Sequence, residues 1–329
     1  MSNKESNNAK KTALITGANS GIGYETAAVL AEQGYGKVIL GVRTNEKGEI
    51  ARTKLIERTG KQVFDVLAVD IAETKSADNA VDELKSRKDK IDLLILNAGM
   101  SSGGNRIFNS GGVEMTFANI IGHHVLTMNL IKDGLMGSDS HIVVAGSEGA
   151  RGDMMGMSPV DFGPFADEHF EGDLVKALET IAKYESPYED KAMNIYVTSK
   201  VYTNWWAAVL SRKLPHGMVV NAVSPGSVPS TNFARDQGFF MRRIMVPMMG
   251  SIGRFMGMSW NIRNAVDRYI EAGEFDADNT GHFYASPPGK LVGKMEIQKN
   301  EHFLNRDYQE AGWKAIVNLA GGVDYPLTS

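Results

Sequence analysis

The chain has no cysteine among its 329 residues, which excludes disulfides, thiolate metal centres and a cysteine nucleophile. No run of eighteen apolar residues occurs, so no segment reads as a membrane-spanning helix. Charge of one sign is also lacking. The 35 Lys and Arg stand against 39 Asp and Glu, a net −4 too balanced to draw nucleic acid or an anionic surface. No basic stripe interleaved with aromatics appears, and no nucleic-acid partner is expected. His123 and His124 are adjacent, but with 7 histidines in all and no carboxylate at ligand spacing, no metal is expected. Residues 1–10 are polar, without an apolar signal core, and read as a disordered tail. Together with the missing cysteine, this fits a reducing, cytoplasmic setting.

What is present is an alternation of strand-like and helix-like segments. Length alone would suggest about two domains. The alternation instead predicts one α/β domain over 11–329, a doubly wound parallel sheet flanked by helices. Thr12-Ala13-Leu14-Ile15-Thr16 is the first strand. It runs into Gly17-Ala18-Asn19-Ser20-Gly21-Ile22-Gly23 and then an apolar-periodic helix. Glycines let a backbone approach a pyrophosphate, and a helix N-terminus offers unpaired N–H groups and positive potential. A strand before and a helix after favour dinucleotide binding over a mere connecting loop.

A second strand, Lys37 to Val42, ends some twenty residues on at Arg43 rather than at an acid. An arginine suits a ribose 2′-phosphate, so NADP(H) is favoured over NAD(H). A solvated strand-end charge is the plain alternative. Val66 to Asp70 reads as a third strand, with Asp70 able to meet an adenine amino group or to cap the next helix. Ile91 to Leu96 is a fourth, buried on both faces, and stops at Asn97-Ala98-Gly99, where a flat ligand could lie on the backbone. The next helix is expected to open around Ser110 to Gly112 and to carry Asn119. His141 to Gly146 forms a fifth strand, and Ser147 follows at its carboxyl end, where open α/β sheets place ligand contacts.

Tyr196 and Lys200 are four apart and share a helix face. A phenol ionises near pH ~10, and a fixed ammonium beside it would bring that value toward neutrality. Alone, such a pair often just shares a solvated face.

In this order, the Thr16-Gly17-x-x-x-Gly21-Ile22-Gly23 turn, Asp70, Asn97-Ala98-Gly99, Asn119, Ser147, Tyr196-x-x-x-Lys200 and Ser224-Pro225-Gly226 resemble the short-chain dehydrogenase/reductase family. The resemblance implies a Rossmann-type fold and an NADP(H)-dependent interconversion of carbonyl and alcohol. It makes Tyr196 the general acid/base and has Ser147 hold the substrate oxygen. Lys200 would tune Tyr196 and bind the nicotinamide ribose, and Asn119 would link Lys200 to solvent through a helix irregularity and a water. The dinucleotide would lie along Gly17, Asn19, Ser20, Gly21, Ile22, Gly23, Arg43, Asp70, Ile71, Asn97, Ala98, Gly99, Tyr196, Lys200, Pro225, Gly226 and Val228. Dimers through the Asn119 and Tyr196 helices are implied as well.

Two excursions depart from the simplest pattern of that family. Residues 150–190 separate Ser147 from Tyr196 and mix acids with Met154, Met155, Met157, Phe162, Phe165 and Phe170. They read equally as an excursion over the cleft or as a plain exposed loop. Residues 227–258 are rich in methionine, which suits a lid over a fairly large apolar substrate. A subunit contact, plain core, or a peripheral membrane contact through 239–258 with Arg242, Arg243 and Arg254 as snorkelling cations are the other readings. With these excursions the chain is similar to the retinol-dehydrogenase and protochlorophyllide-reductase branch, though it lacks the cysteines that protochlorophyllide enzymes use. Gly281 to Ala285 and Glu301 to Leu319 are expected as the last strand and helix. Trp205 is expected in the core or at a helix-pair dimer interface, and Glu148 to point into solvent. Two rival functions stay open: a nucleotide-binding scaffold or sensor without turnover, and a reductase of carbon–carbon double bonds.

Overall fold

Parallel strands with both faces covered read as continuous apolar runs, and the central strands here do. The computed structural model describes residues 7–100, 106–154, 156–228 and 261–325. Its sheet has eight strands in the order β3-β2-β1-β4-β5-β6-β7-β8. These are β1 (Thr12–Thr16), β2 (Lys37–Val42), β3 (Phe64–Ala68), β4 (Leu93–Leu96), β5 (His141–Ala145), β6 (Val219–Val223), β7 (Phe283–Ala285) and β8 (Glu296–Ile297). All pairings are parallel except β7 with β8. The chain order reverses beside β1, where β4 pairs with its other edge, and such a switch point opens a crevice at the carboxyl ends. This is the doubly wound Rossmann-type arrangement that the alternation predicts.

Helices cover both faces. On one lie α1 (Gly21–Glu32), α2 (Asn45–Thr59) and α8 (Ile262–Ala272); on the other lie α3 (Thr74–Arg87), α4 (Met115–Lys132) and α7 (Ala192–Lys213). An outer layer of α5 (Phe162–Phe170), α6 (Leu174–Lys183), the short α9 (Glu301–Leu304) and α10 (Arg306–Leu319) packs on the α4–α7 side. The central helices are apolar nearly all round, as helices enclosed on every side must be. Trp205 and Trp206 on α7 are fully buried. Trp205 meets Gly312 of α10 so closely that an added Cβ would fall 2.8 Å from its ring.

Several expectations shift for local reasons. β3 begins two residues early, because its ladder with β2 pairs Val38 with Phe64 and Val42 with Ala68, and leaves Asp70 in a turn. α4 starts at Met115, since the Asn109 side chain accepts from Gly111 N and Val113 N and folds the preceding residues into a turn. The last helix is broken at Asn305, which caps α10 by accepting from Asp307 N and Tyr308 N. The tail is not free up to Lys10: Asn8 is buried and donates to the Gln33 carbonyl at 3.0 Å, and Gly36 N donates to its carbonyl. Residues 150–190 are neither a loose loop nor a surface flap. They fold into α5 and α6, whose Phe162, Leu178 and Ile181 are buried, with Phe162 edge-on to Trp205 at 4.7 Å. Within the chain, α10 packs on α7 and α4, and α6 packs on α4.

One close approach fixes how α4 sits against the loop after β3. A Cβ added at Gly122 would fall 1.8 Å from the Ile71 carbonyl oxygen. Gly122→Ala is expected to lower the unfolding free energy by about 2–3 kcal/mol, read as a lower urea midpoint with unchanged slope.

Candidate active site

Each motif stands at the carboxyl edge of the sheet because each directly follows a strand: Gly17–Gly23 after β1, Arg43 after β2, Asp70-Ile71 after β3, Asn97–Gly99 after β4, Ser147 after β5 and Pro225–Val228 after β6. Gly17 and Gly21 adopt φ of 70° and 59°, the left-handed region that a side chain disfavours. A Cβ at Gly23 would fall 2.6 Å from both the Gly17 carbonyl and Asn97 Nδ2, so this turn is closed to anything larger. Ser20 precedes α1 without capping it through its side chain, which leaves the first N–H groups of the helix facing the crevice. A pyrophosphate fits that cradle by charge and by shape.

Thr16 joins the neighbouring elements. Its Oγ1 accepts from Ala98 N at 2.9 Å and shares a hydrogen bond with His123 Nε2 at 3.0 Å, while its carbonyl accepts from Asn97 Nδ2. Asn97 therefore braces the β1 and β4 exits. Arg43 and Asp70 meet each other, Nε to Oδ2 at 3.4 Å, with Arg43 more than half exposed. Asp70 Oδ1 also accepts from Ala72 N, so it shapes its own turn rather than capping α3.

Ser147 and Tyr196 are brought together, the serine hydroxyl near enough to the phenol to favour its ionised form. Burial pushes the Tyr196 pKa up to about 12; the Ser147 hydroxyl pulls it down and the Glu148 charge raises it further. The Lys200 side chain lies at the end of β5. Its ammonium donates to the Ala145 carbonyl at 2.7 Å and lies 5.7 Å from the Tyr196 ring centre. Burial lowers its own pKa to about 8. Burial is the largest cause of both shifts.

α4 runs unbroken past Asn119, whose Nδ2 donates to the Met115 carbonyl at 2.7 Å, so the expected helix irregularity is absent. Asn119, His123, Thr203, Gly99 and Lys200 nevertheless line one cavity of about 20 Å³. That volume holds a single water molecule. Residues 229–258 of the expected lid lie outside the described residues. In the first excursion, Met154 and Met157 form an isolated backbone bridge. A Cβ at Gly149 would sit 3.5 Å from the Met157 sulfur and 3.6 Å from Ser147 Oγ, which places that sulfur beside the serine turn.

Sequence reasoning misplaced Glu148. It is buried, with Arg268 Nη1 at 2.9 Å and Ser286 Oγ at 2.9 Å from its Oε1, and Ser224 Oγ donating to its Oε2. A charged residue directly after a strand-exit serine was the available signal; its partners, far along the chain, gave none. Among the described residues no helix is long and apolar enough to cross a membrane, and no group of three or more His, Asp or Glu side chains is placed to hold a metal.

With this geometry in hand, similarity to known proteins can be weighed. The family model for short chain dehydrogenases matches residues 11–159. Short chain dehydrogenase sol3 of Alternaria solani is 30% identical over 221 residues, 66% of this chain and 71% of that one. Retinol dehydrogenase 13 of Homo sapiens is 29% identical over 83% of this chain and 76% of its own length. WW domain-containing oxidoreductase of Gallus gallus is 32% identical over 69% of this chain, but only 51% of that protein is spanned. The chain belongs to the short-chain dehydrogenase/reductase family, and its relatives include members of the retinol-dehydrogenase-like branch. In fold it is similar to a crystal structure from Mycobacterium Paratuberculosis (TM-score 0.67, 21% identity, 95% and 94% of the two chains covered). It is likewise similar to a short chain dehydrogenase of Burkholderia cenocepacia in complex with NADP (TM-score 0.56, 22% identity, 83% and 94%).

The buried histidine supplies a pH test. Burial lowers the His123 pKa to about 3, with the Lys200 charge adding to the effect, against ~6.5 in the unfolded chain. The unfolded state then binds the extra proton, so stability is full above pH ~6.5 and is lost as pH falls toward about 3. Denaturant titrations of wild type and His123→Gln should diverge over that window, wild type falling faster by at most ~1.4 kcal/mol per pH unit.

Proposed function

We propose that this chain is an NADP(H)-dependent oxidoreductase interconverting a carbonyl and an alcohol on a fairly large apolar substrate, with Tyr196 as general acid/base. The observation that carries the reading is the closeness of the Ser147 hydroxyl, at the β5 exit, to the Tyr196 phenol of α7, on the same crevice edge as the Gly17–Gly23 cradle. A bound nicotinamide supplies or accepts the hydride. Ser147 holds the substrate oxygen, and Tyr196 delivers the proton as negative charge grows there. With its pKa near 12 the phenol keeps that proton at neutral pH, as carbonyl reduction requires. Lys200 and Asn119 border the water-sized cavity through which a proton can be restored. Gly17, Asn19, Ser20, Gly21, Ile22 and Gly23 would take the pyrophosphate, Asp70 and Ile71 the adenine side, and Asn97, Ala98, Gly99, Pro225, Gly226 and Val228 the nicotinamide side. The NADP or NADPH bound in solved relatives of the same fold agrees with Arg43 as a 2′-phosphate contact. The Met157 sulfur beside the Ser147 turn supports an apolar substrate.

Two measurements test this. Tyr196→Phe should lower kcat by about 100-fold or more on aldehyde and ketone panels while NADPH binding stays within about threefold. Wild-type rates in that variant would end the assignment. NADPH should bind more tightly than NADH in calorimetry, and Arg43→Ala should weaken NADPH by about 10-fold or more and leave NADH nearly unchanged. A preference for NADH unaffected by the substitution would reverse the cofactor assignment.

A further inference from the structure

Directly behind Ser147 the molecule encloses a complete ion pair, Glu148 at 4% exposure and Arg268 at 3%. Enclosing two charges is costly unless every polar atom is matched, and these are densely matched. Glu148 Oε1 accepts from Arg268 Nη1, from Ser286 Oγ and from Ser286 N at 3.3 Å, and its Oε2 accepts from Ser224 Oγ. Arg268 Nη1 also donates to the Ser224 carbonyl at 2.7 Å, and Nη2 to Ser286 Oγ at 2.8 Å and the Gly293 carbonyl at 2.7 Å. Arg151, also buried, donates to the Ser286 carbonyl at 2.6 Å from the other side.

The chain positions give this knot its meaning. Ser224 is the first residue after β6 and Ser286 the first after β7, and Glu148 follows the serine at the β5 exit. The knot thus joins three neighbouring strand exits. Glu148 is one residue from Ser147, and Ser224 one residue from Pro225-Gly226. Ser224 Oγ also accepts from Gly226 N at 3.3 Å, so the same hydroxyl shapes the turn that would carry the nicotinamide.

We propose that the Glu148–Arg268 pair is a positioning device of the hydride-transfer centre, holding the Ser147 hydroxyl and the Pro225-Gly226 turn at one fixed separation. This rests on the oxidoreductase reading above. The two sides it spans are the two that must meet: the donors on the substrate oxygen and the seat of the ring that exchanges hydride. Small errors in that spacing cost rate steeply. The carboxylate has a second effect, through space. Among the described residues, Ser147, the Glu148 charge and the Lys200 ammonium across the ring face the Tyr196 phenol, and the buried Tyr269 hydroxyl is coupled to it electrostatically from α8. The Glu148 charge opposes phenolate formation, adding to the larger effect of burial on Tyr196.

Three variants separate geometry from charge: Glu148→Gln, Arg268→Lys, and the double Glu148→Gln/Arg268→Met, which removes both charges and serves if the first does not fold. Each is compared with wild type for NADPH affinity by calorimetry and for kcat and KM of carbonyl reduction across the neutral and alkaline range. Glu148→Gln is expected to bind NADPH within about threefold of wild type yet lose roughly 10- to 100-fold in kcat with little change in KM. Because reduction needs the protonated phenol and the variant lowers its pKa, the alkaline fall in rate should move to lower pH by about half a unit or more. Arg268→Lys keeps a charge but loses the fork, so kcat should fall with the pH limb unmoved. The double variant should lose kcat as the first does. Wild-type kcat and pH dependence in the folded variants, with only a lower Tm, would make the pair a packing feature and overturn the proposal. Wild type that binds NADPH but reduces nothing on the panel would overturn the oxidoreductase reading itself, and this proposal with it.

Discussion

The candidate site depends on how closely the β1 exit is held against the β4 exit. Thr16 does this with two atoms: its hydroxyl takes the Ala98 amide and its carbonyl takes the Asn97 side chain. The approach is so tight that Gly23 has no room for a methyl group between Gly17 and Asn97. Because the two strands are held there, the phosphate cradle and the Asn97-Ala98-Gly99 shelf form one continuous edge. His123 completes the arrangement from α4 and stays neutral because it is buried. A charged imidazole there would leave a cation beside Lys200 with no carboxylate among its hydrogen-bond partners.

Electrostatics in the centre follows from exclusion of water more than from pairing of charges. Tyr196 is held protonated and Lys200 is eased toward neutrality by the same cause acting on groups of opposite type. The one strongly paired charge, Glu148, lies outside the Ser147–Tyr196 pair and acts on it across a short distance. Placing the carboxylate one residue past the serine lets it brace the backbone without competing for the substrate oxygen.

The motifs and their strands were legible because each follows from local chemistry. Glycines before a helix, an apolar run ending in small residues, and a Tyr and Lys one turn apart are all written within a few residues. Boundaries slipped where side chains redirect the backbone, as Asn109 delays α4 and Asn305 divides the last helix. The carbonyl that the Lys200 ammonium reaches, Ala145, was not legible, because adjacency on a helix does not select it. Glu148 was misread for a related reason. Its partners Ser224, Arg268 and Ser286 come from three later segments, and no local pattern joins them. Residues 150–190 gave their composition but not their helices, since Phe162 and Leu178 find their partners on α7 and not near themselves.

α7 carries Tyr196 and Lys200 on one side and leans on α10 with the other, through Trp205 against Gly312. Trp206 reaches His124, whose other ring nitrogen meets the Val323 carbonyl. During synthesis on the ribosome, the helix bearing the phenol, complete at Lys213, is therefore made before the segment that packs on it, which begins at Arg306. Trp205 gains its contact with Gly312 only once residues 306–319 emerge. Nascent chains of this protein are thus committed to a late, non-local closing step, and a chaperone that covers apolar helices has its natural opportunity in that interval.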